Sequence, residues 1–405
     1  MKSAATVLAG LCLAMLAAQA PAQPIDPKTK ARIDRILKRT PLIDGHNDLP
    51  EQLRENYAFS VEGLESGGAT REKPLMTDIA RLRRGRVGGQ FWSVWIPGTV
   101  TGDEAIRQTL EQIDIVTRLA EAYPEDLELA FTASELEQAH RRGRIGSLIG
   151  IEGGRQIGGS LAALRQFYRL GARYMTLTHN QTTEWADSGT DEPKFDGLSP
   201  FGVEVVKEMN RLGMLVDLSH AAEETVHEAL SVSSAPIIFS HSAARALADT
   251  PRNLSDATLR LVRANGGIVM VPLAPYLITT DHWRWWSSGE RRYAELVAAH
   301  PGDEAAVQRG MEEWDGANLQ PTVTVAQVAD QIDHIARVAG PDHVGIGSDF
   351  DGMGQFAISG LEHSGKLQAL IEELRRRGWP QARLEALGGG NFERVLARVE
   401  AAAGR

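Results

Sequence analysis

The sequence predicts an α/β fold, a (β/α)₈ barrel of the TIM type, on three observations. Eight short apolar, β-branched runs recur along the 405 residues, each ending in glycine or polar residues. Helix-patterned stretches lie between them, such as 103–123 and 201–213, and the second ends in a glycine suited to a helix C-cap. No G-x-G-x-x-G follows the first run, which disfavours the competing doubly wound sheet with its dinucleotide site. Strands alternating with helices imply a parallel sheet, and eight such units imply closure into a barrel.

Six of the eight runs end in chemistry. LIDGH (42–46) leads into His46 and Asp48, and GQFWSVW (89–95) is the second run. SLIGIEGG (147–154) carries Glu152, and RYMTLTHN (173–180) carries His179. MLVDLSH (214–220) and PIIFSHS (236–242) supply His220 and His241. GIVMVP (267–272) is seventh, and HVGIGSDFDG (343–352) ends the set with Asp349. In a barrel these C-terminal strand ends open onto one face, where the chemistry sits.

On an extended backbone His46 and Asp48 share a direction, and an imidazole beside a carboxylate suits a divalent cation such as zinc. Asn47 and Asp48 are equally ordinary turn formers, so this stretch alone leaves both readings open. Of 11 histidines, His140, His227, His334 and His343 fall in helices or before a strand, in structural or solvated places. His282, His300 and His363 read as loop or helix-end residues. Four strand-end histidines with three carboxylates on one rim are costly to bury without a cation. A two-metal site supplies the missing positive charge.

The composition, 42% hydrophobic and 24% charged, provides a core, and a net charge of −10 argues against nucleic acid or an anionic membrane as the main partner. RLRRGR (81–86) is short enough to be a solvated helix end. Residues 1–22 have the anatomy of a secretory signal peptide, with cleavage expected after Ala22, leaving one domain over 23–405. Cys12, the only cysteine, lies in that leader, and Leu11 before it argues against lipidation. Any metal in the mature chain would therefore be held by His, Asp and Glu. No other segment has 18 uninterrupted apolar residues and the AAAGR end lacks an anchor tail, so the expectation is a soluble exported protein, periplasmic or secreted.

The pieces IDGHNDLP, GGQFWSVW, SLIGIEGG, RYMTLTHN, WADS, GLSPFG, DLSH, IFSHS, PRN and GSDFDG, in that order from about residue 30 to 395, resemble the membrane (renal) dipeptidases, peptidase family M19, of the amidohydrolase superfamily. The resemblance implies two zinc ions per chain. His46 and Asp48 would hold one, His220 and His241 the other, and Glu152 would bridge both. It further implies that His179 and Arg252 contact the substrate and that Asp349 is the catalytic acid/base. Asp351 would close the following loop.

The activity implied is hydrolysis of free dipeptides by a metal-bridging hydroxide. His179 would donate to the oxyanion, and Arg252 would grip the terminal carboxylate. Two other readings stay open: β-lactam or lactone hydrolysis in the same barrel, or a non-catalytic exported zinc-binding protein. Resemblance also suggests a homodimer. The chain departs from animal relatives in lacking their disulfide cysteines and C-terminal anchor signal. It has Glu51 where they carry an aromatic, and a longer segment over 276–322 with HWRWW (282–286) and Trp314. That insertion is either a helical surface addition or a lid after strand seven.

Overall fold

The computed structural model describes residues 27–40, 42–354 and 356–404; the leader expected over 1–22 lies outside them. Among the described residues nine strands form one wholly parallel sheet: β1 (Leu42–Asp44), β2 (Val87–Trp95), β3 (Leu127–Leu129), β4 (Ile145–Glu152), β5 (Ala172–Thr176), β6 (Leu215–Asp217), β7 (Ile238–Phe239), β8 (Ile268–Val271) and β9 (Val344–Ile346). The order β2-β1-β9-β8-β7-β6-β5-β4, with β2 also paired to β4, closes eight of them into a barrel with helices between the strands. The eight expected runs are these eight. β3 was not among them; its three residues pair with Ile145–Ser147 of β4, on the edge that β5 occupies further along.

Strands covered on both faces read as unbroken apolar runs, and all eight residues of β4 are buried. Alternation sorts those side chains into two layers. Ile43, Phe91, Leu148, Tyr174, Leu215, Ile238 and Ile268 form one cluster with Phe392, Val395, Leu396 and Val399 of the final helix (Asn391–Ala402). Their neighbours Leu42, Trp92, Ile149, Met175, Val216, Phe239 and Val269 belong to the larger cluster made with the surrounding helices. The first set is the barrel interior. Gly150 shares it, and a side chain there would collide with the Tyr174 ring. The helix Pro200–Leu212 ends on Gly213 at φ 77°, the left-handed C-cap expected from the sequence.

After β8, the segment expected as an insertion forms a short helix (Pro275–Ile278) and a helical hairpin (Thr280–Ala299, Glu304–Ala317). Leu296, Val307 and Met311 give it a small core of its own. Its aromatics pack on one another: Trp286 stacks on Tyr276 at 5.0 Å, and Trp285 lies 5.7 Å from both Trp314 and Phe356. His282 sits beneath Trp285, fully buried, with its Nε2 3.1 Å from the Gln320 amide and its Nδ1 unpartnered.

Burial pushes the pKa of His282 down to about 4, against an ordinary histidine value near 6.5. The unfolded chain therefore binds a proton at this site before the folded one does, so its contribution to stability is intact above about pH 6.5 and is lost as pH falls toward 4. The full loss amounts to about 3 kcal/mol. Chemical unfolding between pH 7 and 4 should show this slope, and His282→Asn should flatten it. An unchanged slope in the variant would assign it to other groups.

Candidate metal centre

The chain's first and last barrel strands meet here. Asp44 pairs with Ile346, and beyond them Asp349 N donates to His46 O (3.0 Å) while Asp48 N donates to Phe350 O (2.8 Å). The buried Asp44 carboxylate takes the Ser348 amide and hydroxyl, both at 2.6 Å. β1 is shorter than the sequence suggested. His46 stands just past its end, and Asp48 is the N-cap of the next helix (Leu49–Asn56) rather than part of a strand. The two nevertheless converge, with His46 Nε2 3.4 Å from Asp48 Oδ2.

Glu152 is the last residue of β4, in the alternation of Leu148 and Gly150, so it faces the barrel mouth. His46 Nε2 lies 3.4 Å from its Oε2, while His220 and His241 Nε2 lie 3.1 and 3.4 Å from its Oε1. Ligand-type atoms of Glu152, His220 and His241 lie within 4.8 Å of one another, as do those of His46, Asp48 and Glu152, and of His46, His241 and Asp349. Glu152 is common to the first two groups, the position a bridging carboxylate needs. Asp349, expected outside the ligand set, is brought as close as the ligands are.

The outward nitrogens say what the inward ones can do. His220 Nδ1 is 3.1 Å from Asn180 Oδ1, an acceptor, so the ring's proton sits there and Nε2 presents a lone pair. Ser240 Oγ donates to Asp217 at 2.6 Å, leaving its oxygen to accept from His241 Nδ1 at 2.8 Å; again Nε2 is a lone pair. These two Nε2 atoms are 2.9 Å apart. Two lone pairs at that distance repel unless a cation lies between or beside them. His46 Nδ1 is 2.8 Å from the Tyr174 hydroxyl, and its Nε2 and both oxygens of Asp48 are buried without a hydrogen-bond partner. The donor set is the hard-to-borderline N/O set that divalent zinc accepts, so the residues fit a metal.

His179 is wired the other way. Trp95, whose indole nitrogen can only donate, gives its proton to His179 Nδ1 at 3.2 Å. The ring's own proton is then on Nε2, which faces Glu152 Oε1 at 3.8 Å. His179 presents a donor to the site, where His220 and His241 present acceptors.

Burial holds the pKa of His220 and of His241 well below the ordinary value, with Arg252 adding to the depression in both, and lowers that of His179. Burial opposes charge on His46 too, but Tyr174, Asp48 and Glu152 together raise it well above the ordinary value. Burial, and then Asp48, push the Asp349 carboxyl well above the usual carboxylate range. Asp349 and Asp351 sit at φ 64° and 69°, and the turn they make runs so close to Asp48 and Asp349 that a side chain at Gly352 would strike both carboxylates. Asp351 Oδ1 accepts from Met76 N at 2.7 Å, tying that turn to the segment before the helix Ile79–Gly85.

Arg252 is buried, makes no ion pair among the described residues, and leaves Nη1 without a partner. A cleft of ≈ 280 Å³ opens beside Glu152 and His179, walled by Ile96, Pro97, Gly98 and Gln181. Sequence reasoning missed Trp95, Tyr174, Asn180, Asp217 and Ser240. All five lie within the quoted motifs, but apart from Ser240–His241 their hydrogen bonds cross between strands, where sequence spacing carries no signal.

The family model described as membrane dipeptidase (peptidase family M19) matches residues 30–405. The chain is 40% identical to mouse dipeptidase 3 over 380 residues, 93% of this chain and 68% of that protein, and matches rat dipeptidase 3 equally. Among solved structures it is similar to the probable dipeptidase PvdM from Pseudomonas aeruginosa (TM-score 0.77, 24% identity, 94% of this chain and 100% of that one). It is also similar to a metallo peptidase from Rhodobacter sphaeroides liganded with a phosphinate mimic of L-Ala-D-Ala (TM-score 0.72, 24% identity, 89% and 99%).

Partners behind ligands tune affinity, so Ser240→Ala, which frees the His241 tautomer, should weaken zinc binding about 10–100-fold. Competition against a chromophoric chelator measures this directly, and unchanged affinity would remove the Asp217–Ser240–His241 chain from the account.

Proposed function

The chain belongs to the membrane dipeptidase family, peptidase family M19, and is a metal-dependent dipeptidase; from that premise we propose how its own residues divide the work. His46 and Asp48 would hold one zinc, His220 and His241 a second, with Glu152 shared between them. When bound, the zinc pair supplies the positive charge that acidifies a water and polarises a carbonyl.

The observation that carries the division of labour is the opposite wiring of the histidines. A ring that offers a lone pair can hold a metal; a ring that offers a proton can stabilise an oxyanion. His179, its proton fixed on Nε2 by Trp95, is the donor, aimed where charge develops on the carbonyl oxygen. Asp349 takes a proton from the attacking water and returns it to the amine as the C–N bond breaks. A carboxyl raised well above its ordinary range suits both halves of that exchange. Arg252, an unpaired buried guanidinium, grips the terminal carboxylate with two parallel hydrogen bonds. A fixed anchor one residue beyond the scissile bond limits the substrate to dipeptides. Residues 1–22 would direct export, and no helix among the described residues is long and apolar enough to cross a membrane.

Asp349→Asn should keep the fold and lose turnover by about 10²–10⁴-fold, the usual weight of a general acid–base group. Steady-state kinetics beside metal analysis checks it; near-normal turnover would place the shuttle elsewhere. Arg252→Lys exchanges a fork for a point charge, so kcat/KM for dipeptides should fall about 10–100-fold, and the preference for free acids over dipeptide amides should shrink with it. An unaltered acid-over-amide preference would mean that another residue reads the carboxylate.

A further inference from the structure

We propose that the cleft beside Glu152 and His179 takes the side chain of the substrate's N-terminal residue, and that Gln181, resting on Gly98, sets how large that side chain can be. The inference rests on the dipeptidase reading above and extends it to the choice of substrate.

Loops at the barrel mouth make the cleft: Ile96, Pro97, Gly98 and Val100 follow β2, Arg155 and Gln156 follow β4, and Gln181 and Thr183 follow β5. Polar side chains tie these loops to one another. Arg155 Nη1 donates to Gly98 O, and its Nη2 donates to Thr182 O at 2.7 Å. The Gln156 amide donates to Val94 O (2.9 Å) and Glu152 O (2.6 Å) and accepts from Thr109 Oγ1 (2.8 Å). Thr183 Oγ1 donates to Ala186 O (3.2 Å) and accepts from Ala186 N (2.9 Å). These polar groups are engaged in holding the walls, so what Ile96, Pro97 and Val100 offer beside them is apolar contact, the usual lining of a preformed pocket.

Gln181 is the exception. It is exposed, and its carboxamide has no hydrogen-bond partner among the described residues. The side chain reaches from the loop after β5 to the loop after β2 and lies on Gly98, so closely that a side chain at position 98 would occupy the space of its Oε1 and Cδ atoms. Glycine makes room for the amide there. A side chain laid across two tied walls is a stop, so the cleft of ≈ 280 Å³ suits a small aliphatic group and not an aromatic ring.

The order of strands decides which residue of the dipeptide the cleft serves. Around the barrel the strands run β2, β4, β5, β6, β7; Arg252 follows β7, His179 follows β5, and the cleft lies over β5, β4 and β2. A dipeptide with its carboxylate at Arg252 and its carbonyl oxygen at His179 has crossed from β7 to β5. Its N-terminal residue then continues toward β4 and β2, over the cleft, and its C-terminal side chain stays on the β7 side.

Wild-type zinc enzyme is first assayed on L-alanyl-L-alanine; an inert enzyme would overturn the dipeptidase reading and this inference together. Next, kcat/KM is measured for L-phenylalanyl-L-alanine and for L-alanyl-L-phenylalanine, each divided by the L-alanyl-L-alanine value, so that any loss of folded enzyme cancels. Gln181→Ala should raise the phenylalanyl-alanine ratio about tenfold or more, the scale on which pockets discriminate side-chain size, and should not move the alanyl-phenylalanine ratio. Gly98, which is not in the left-handed region, can accept a methyl group if the carboxamide moves aside. Gly98→Ala should therefore raise the same ratio, and should add nothing once Gln181 is alanine. A phenylalanyl-alanine ratio indifferent to Gln181→Ala, or effects of the two substitutions that simply add, would overturn the inference and leave the dipeptidase reading intact. A rise confined to alanyl-phenylalanine would put the C-terminal side chain in the cleft and overturn the assignment.

Discussion

Two imidazole nitrogens held 2.9 Å apart with their lone pairs facing are the constraint around which the barrel mouth is organised. Hydrogen bonding forces the arrangement: Asn180 and Ser240 claim the Nδ1 protons of His220 and His241, and the Nε2 atoms are left to confront one another. Around them stand Asp48, Glu152 and Asp349, three buried carboxylates with no lysine or arginine among the described residues in ion-pair contact. The energy of such a cluster is unfavourable until positive charge enters it. Much of the surrounding hydrogen bonding, from Asp217 through Ser240 and from Tyr174 to His46, holds the ligands in place against that repulsion.

The same logic separates roles within one residue type. Four histidines reach the mouth at comparable distances from Glu152, and distance alone would make all four ligands. Trp95 breaks the equivalence by donating to His179, which turns that ring from an acceptor into a donor. On the proposed reading, a difference in one neighbour decides between holding a metal and stabilising a developing charge.

Much of this was legible in the sequence, for a physical reason. Strands buried on both faces must be apolar throughout, so a polar residue closing such a run marks the rim, and all of His46, Glu152, His179, His220, His241 and Asp349 were found that way. What escaped was set by contacts across the barrel. β3 is three residues long with a glutamate at its centre, and pairing with β4, not periodicity, makes it a strand. Asp48 reads as a strand residue by its spacing from His46 but is a helix cap, because the chain turns as soon as it passes the rim. Tyr174 looks like one more core aromatic until Gly150 opposite it leaves room for the ring and its hydroxyl meets His46.

The seam between β1 and β9 has a consequence for how the molecule comes into being. His46 and Asp48 follow the first barrel strand in the chain and Asp349 follows the last, yet each takes its position from backbone hydrogen bonds to the other's strand. A ribosome that has released the first seven barrel strands has released an open sheet whose mouth lacks its last wall. Glu152, His220 and His241 follow β4, β6 and β7, whereas the His46–Asp48 side of the mouth is framed only once β9 has paired with β1. Closure of the barrel and assembly of that side of the mouth are one event.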